Sequence, residues 1–152
     1  MVDSPFHILA KPIGPICNLD CHYCYYLHTE DLYGRHTKWQ MTDEALEAFI
    51  QQYIQGQPMQ AREVEFVWQG GEPTLLGLEF FQKAVALQKV HERPGMTIRN
   101  CLQTNGILLD QKWCAFLREN KFIAGLAVDG PTEPHDASRA ELQDLQAAGV
   151  VG

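Results

Sequence analysis

The chain has 152 residues, 45% of them hydrophobic and 20% charged, which is the balance of an ordinary globular protein long enough to bury one good core. Twelve basic against nineteen acidic side chains leave a net charge of −7, so no basic face is available to neutralise a phosphate backbone and nucleic-acid binding is not expected. Apolar runs fall far short of the about 18 residues a membrane span requires, and the N-terminus, with Asp3 and Pro5, lacks a basic segment leading into an apolar one, so a cytoplasmic location without membrane contact is expected.

Phe6 to Ala10 is a short apolar run ended by Lys11-Pro12, which predicts a strand entering a loop. From Thr42, a cap candidate followed by Asp43 and Glu44, the apolar residues Leu46, Phe49, Ile50, Tyr53 and Ile54 recur at helical spacing until Gly56 and Pro58 stop them. Val64, Phe66 and Trp68 alternate with Glu63, Glu65 and Val67, the period of a strand, which runs into Gly70-Gly71-Glu72-Pro73. A second helix is predicted over Leu78 to His91, closed by Pro94-Gly95, and a third strand over Thr97 to Gln103, ending at Thr104-Asn105-Gly106. Asp110 can cap a third helix running through Trp113, Phe116 and Leu117 to Asn120, and Phe122 to Val128 reads as a fourth strand stopped by Asp129-Gly130-Pro131. Strands alternating with helices of this length imply parallel pairing, so the fold class is α/β, and the polar, glycine-bearing segments fall at the carboxyl ends of strands, where such folds bind ligands.

The loop after the first strand carries Cys17-x3-Cys21-x2-Cys24, three of the five cysteines within eight residues. That is poor material for a disulfide framework and good material for a metal site in a reducing compartment. Three thiolates on a short loop can hold three corners of a [4Fe–4S] cluster and leave one iron open, which suits a cluster that coordinates a substrate. The competing reading is a zinc site that recruits His22 or His28, although zinc ligands usually come as two well-separated pairs. Cys101, in a strand, and Cys114, in a helix, read as small buried hydrophobes.

Cys17-Asn-Leu-Asp-Cys21-His-Tyr23-Cys24 resembles the cluster motif of the radical S-adenosylmethionine superfamily, in which an aromatic residue precedes the third cysteine. Phe6-His-Ile-Leu-Ala-Lys-Pro12, Trp68-Gln-Gly-Gly-Glu-Pro-Thr-Leu-Leu76, Leu102-Gln-Thr-Asn-Gly106, Trp113-Cys-Ala-Phe-Leu117 and Val128-Asp-Gly-Pro131 are together similar to the anaerobic sulfatase-maturating enzymes, a likeness that covers about residues 6 to 139. The resemblance implies the N-terminal portion of a partial (β/α)6 TIM-like barrel, with about four parallel strands. It also implies an S-adenosyl-L-methionine that binds the cluster through its amino and carboxylate groups. An electron from the cluster would cleave the sulfonium, and the resulting 5′-deoxyadenosyl radical would abstract hydrogen from a cysteine or serine of a sulfatase on the way to formylglycine. The implied partners are a sulfatase polypeptide and an electron donor such as flavodoxin or ferredoxin. A radical enzyme modifying another peptide, or an inactive remnant that still binds the cluster and cofactor, is the alternative. Carried over by residue, Cys17, Cys21 and Cys24 hold the metal, Tyr23 lies along the adenine, and Gly70, Gly71 and Glu72 approach the methionyl end. Gln103 and Asn105 face the same mouth, and Arg139 meets the cofactor carboxylate.

Two departures from the family pattern stand out. Members commonly carry serine where this chain has Ala127, so one hydrogen bond to the cofactor is expected to be missing. After Arg139 the pattern stops: residues 1–139 read as the radical core, and residues 140–152 as a divergent tail from a truncated or frameshifted frame, without the family's general base. Four parallel strands cannot close a barrel, so an open edge after Phe122 to Val128 and poor solubility are expected.

Overall fold

Side-chain alternation along the second strand decides which way the sheet faces. In the computed structural model, which describes residues 4–26, 29 and 40–127, Val64, Phe66 and Trp68 turn to one side and are at most 2% exposed, whereas Glu63, Glu65 and Val67 turn to the other and keep contact with solvent. The described residues form four strands, β1 (Ile8–Ala10), β2 (Glu63–Trp68), β3 (Thr97–Thr104) and β4 (Ile123–Leu126), in one sheet of order β1-β2-β3-β4. Every neighbouring pair is parallel, with Ala10 opposite Trp68, Trp68 opposite Leu102 and Leu102 opposite Ala124. Three α-helices, α1 (Asp43–Gly56), α2 (Leu78–His91) and α3 (Gln111–Glu119), connect the strands. This is the α/β arrangement that the alternation of elements predicts.

Each helix starts where its sequence supplies a partner for the first free N–H groups or a bend into the helix. Thr42 Oγ1 accepts from Ala45 N at 3.2 Å, and the Asp110 carboxylate accepts from Trp113 N at 2.8 Å. Gly77, at φ +80°, turns the chain into α2. The apolar faces then pack on one side of the sheet: Leu46, Ile50, Tyr53 and Ile54 from α1, Phe80, Phe81 and Ala84 from α2, and Trp113, Phe116 and Leu117 from α3.

Aromatic rings dominate this core. Phe66 stacks on Trp68 with centroids 5.9 Å apart, Tyr53 meets Phe66 edge-on at 4.9 Å, and Phe81 meets Trp68 and Trp113 edge-on at 5.8 and 5.4 Å. Such pairs add roughly 0.5–1.5 kcal/mol each beyond the area they bury. The indole N–H of Trp68 is not stranded. It donates to Asn100 Oδ1 at 2.8 Å, and Asn100 exchanges two amide hydrogen bonds, 2.9 and 2.8 Å, with Gln88 of α2.

Several boundaries differ from the sequence-based expectation, with local causes. The first strand starts at Ile8 rather than Phe6, because α1 side chains and the residue that follows the helix take the backbone there: Gln57 Nε2 and the Tyr53 hydroxyl donate to Phe6 O, and Ile8 N donates to the Tyr53 oxygen. The fourth strand starts at Ile123 because Phe122 N caps α3 through Leu117 O. A 3-10 turn over Pro73–Leu76, between the second strand and the second helix, follows Glu72. Among the described residues no helix is long and apolar enough to cross a membrane.

Candidate functional site

The segments that leave the carboxyl ends of all four strands border one cavity of about 160 Å³. The loop after β1 contributes Cys17, Cys21, Cys24 and Tyr23; the segment after β2 contributes Gln69 through Glu72; Gln103, Thr104 and Asn105 come from the end of β3, and Ala127 follows β4. A second cavity, about 220 Å³ between α2, β3 and α3, includes Gln88 and Asn100 and has no thiol on its wall.

None of the three cysteines is joined in a disulfide; Cys21 is buried and the other two are half-buried. Short-range hydrogen bonds shape their loop: Cys24 N donates to Cys21 O at 2.8 Å, while Leu19 N and Tyr26 N donate to the sulfurs of Cys17 and Cys24 at 3.3 and 3.4 Å. Burial pushes the Cys17 thiol up to about 11. The Leu19 N–H opposes that shift, and the charges of Glu72, Cys21 and Cys24 add to it. Cys17 is therefore a neutral thiol near pH 7, and a metal that binds there releases its proton. Among the described residues no three His, Cys, Asp or Glu side chains converge on a point for a single ion. The donor set, three soft sulfur ligands on one cavity wall with N–H groups aimed at two of them, fits an iron–sulfur cluster.

The two glycines serve the protein's own backbone first. A Cβ on Gly71 would overlap the Ile16 carbonyl, and one on Gly70, whose φ is +138°, would stand 2.8 Å from Gly14 O. Gly71 N donates to Gly14 O at 2.9 Å and Glu72 N to Ile16 O at 2.8 Å, so the segment after β2 is laced to the residues just before Cys17. Glu72 is 1% exposed, and both its oxygens accept from protein donors on Thr74, Thr104 and Asn105. Asn105 bonds Asn18 and Cys17 from the far side. Gln103 lies across Gly125 of β4 and borders the cavity, and Tyr23, 58% exposed, stands at its rim.

The structure thus brings Cys17, Cys21, Cys24, Tyr23, Gly70, Gly71, Glu72, Gln103 and Asn105 to one place. Arg139 and the zinc alternative's His28 lie outside the described residues. Sequence reasoning passed over Asn18, Gln69 and Thr104. Their only signal is position, inside the cysteine run or beside a glycine-bearing turn.

The sequence profile of the Radical SAM superfamily matches residues 12–143. The serine-type anaerobic sulfatase-maturating enzyme of Klebsiella aerogenes is 51% identical over 137 residues, 90% of this chain and 33% of that protein. The cysteine-type anaerobic sulfatase-maturating enzyme of Clostridium perfringens is 42% identical over 141 residues, 93% of this chain and 37% of that protein. Among solved structures, native anSMEcpe with bound AdoMet superposes with a TM-score of 0.74 at 37% identity, over 94% of this chain and 41% of that one. Native anSMEcpe with bound AdoMet and Cp18Cys peptide gives 0.75 at 37% identity, over 97% and 41%. The chain spans about a third of the length of the curated relatives it matches.

Proposed function

Because the chain belongs to the radical S-adenosylmethionine superfamily, we propose that Cys17, Cys21 and Cys24 hold a [4Fe–4S] cluster beside a bound S-adenosyl-L-methionine, and that the activity served is the maturation of a sulfatase. The observation that carries the reading is the meeting of three thiols, a side-chain-free glycine edge and an aromatic ring at one cavity where parallel strands end. A cluster held by Cys17, Cys21 and Cys24 would supply one-electron reduction of the cofactor's sulfonium, and with it the radical chemistry needed to oxidise a serine or cysteine of the target.

This chain's residues bind, orient and shield. Gly70 and Gly71 border the cavity without side chains of their own, and their backbone is proposed to receive the cofactor's ammonium. Tyr23 offers a ring face for a purine, and Gln103 a polar group at the mouth. Arg139 is proposed to meet the carboxylate as a charge-assisted pair. A flavodoxin or ferredoxin is the proposed source of the electron, and a cytoplasmic setting keeps the thiols reduced. The named relatives of both the serine and the cysteine type support a sulfatase as target.

Anaerobic reconstitution tests the reading. The chain is expected to take up about four irons with thiolate-to-iron absorption, to lose them when Cys17, Cys21 and Cys24 are replaced by alanine, and to form 5′-deoxyadenosine when given cofactor and reductant. Failure to bind iron, or iron retained by the triple variant, overturns it. A cluster that never yields 5′-deoxyadenosine leaves an inert binding module instead.

A further inference from the structure

Glu72 is the least exposed polar group at the cavity and the one on which most donors converge. Its Oε1 accepts from Thr74 N at 3.0 Å, Thr74 Oγ1 at 2.6 Å and Thr104 Oγ1 at 2.8 Å, and its Oε2 accepts from Asn105 N at 2.7 Å. A buried carboxylate is tolerable only with such partners. Here they tie the turn after β2 to the end of β3. Asn105 carries the connection onward, because its Nδ2 donates to Asn18 Oδ1 at 2.8 Å and toward Cys17 Sγ at 3.9 Å, while its own Oδ1 is fixed by Ile107 N at 3.0 Å. Cys17 and Asn105 are 88 residues apart in sequence, so neither the cysteine loop nor the β3 turn could set this geometry locally.

We propose that Glu72 and Asn105 are positioning residues for the first cluster ligand: Glu72 fixes the backbone of Asn105, and the Asn105 amide holds Asn18 and directs an N–H at the Cys17 sulfur. The proposal rests on the cluster reading above for its electronic consequence, and on geometry alone for its mechanical one. An N–H aimed at a ligating sulfur draws electron density from it and stabilises the reduced cluster, so this contact raises the reduction potential. The role assigned to Glu72 differs from direct contact with the cofactor, since both its oxygens already accept from the protein.

Two readouts on the full chain test this. In the metal-free protein, site-resolved alkylation of Cys17, referenced to the exposed Cys114, is expected to run several-fold faster in Asn105→Ala than in wild type, because the loop loses its distant anchor. In the reconstituted protein the same substitution is expected to move the cluster potential to more negative values. Glu72→Gln, which turns an amide N–H₂ toward groups that donate, is expected to shift the potential in the same direction. Combining it with Asn105→Ala is expected to add little, because the two act through one contact. An unchanged Cys17 alkylation rate or an unchanged potential in Asn105→Ala overturns the proposal, as does full additivity of the pair. Wild-type chain that binds no iron sinks the functional reading and leaves the alkylation comparison standing.

Discussion

Ala127 follows β4 at the wall of the cavity, its N–H donating to Thr104 O at 3.0 Å, and its methyl group carries no hydroxyl for a cofactor to meet. One hydrogen bond to a charged group contributes roughly 1.5–3 kcal/mol, so Ala127→Ser is expected to tighten S-adenosyl-L-methionine binding about ten- to a hundredfold in anaerobic calorimetry. Cys101 supplies a test on the opposite face from the core. Its thiol donates to Glu65 Oε1 at 3.3 Å, and burial first, then that hydrogen bond and the carboxylate's charge, push it up to about 11 from an ordinary 9.0. A raised value means the folded state favours the neutral thiol, so the stabilisation is present below about pH 9 and is lost as pH rises through about 11. Alkylation of Cys101 at pH 8 should therefore run about tenfold slower than that of an ordinary thiol, its much smaller thiolate fraction being partly offset by the greater nucleophilicity of a more basic thiolate, and Glu65→Gln should speed it, as peptide mass spectrometry would show. The sequence made the cysteine trio legible because x3-x2 spacing in a loop has no packing purpose. It described Cys101 as a small buried hydrophobe and could not show Glu65 beside it, since that contact depends on strand register.

Among the elements, β3 carries a buried polar group, Asn100, that ties the strand to β2 and α2. Asn100 satisfies the Trp68 indole and both ends of the Gln88 amide, so Asn100→Val would orphan groups that each cost about 1–3 kcal/mol when buried without a partner. The variant is expected to lower the urea midpoint with little change in slope. Helices α1 and α3 were readable to within a residue because Thr42 and Asp110 announce themselves as caps ahead of periodic apolar runs. The strand ends were less so. Phe6 and Phe122 are apolar enough for a strand, but Gln57, Tyr53 and Leu117 claim their backbone groups, and such capture by a neighbouring element leaves no trace in local pattern. The turn over Pro73–Leu76 is less legible because its cap, Glu72, is not among the side chains that ordinarily announce a helix start.

On the scale of the whole molecule, β4 is the last strand of the sheet among the described residues. Ile123 and Leu126 are 55% and 56% exposed on a strand that pairs only with β3 among the described residues, which is the kind of edge that recruits other chains. The polypeptide of residues 1–152, expressed by itself, is expected to give polydisperse light scattering, and Ile123→Lys with Leu126→Lys to narrow it. A monodisperse, cooperatively melting wild type would count against this account of the edge. The lacing of Gly71 to Gly14 and of Glu72 to Ile16 has a consequence in time as well as in space. A ribosome releases the three cysteines long before it releases the segment that shapes their loop. If the three cysteines hold the proposed cluster, iron offered to a nascent chain that ends ahead of Asn105 would find sulfur without scaffolding, and loading is expected to follow the docking of the third strand.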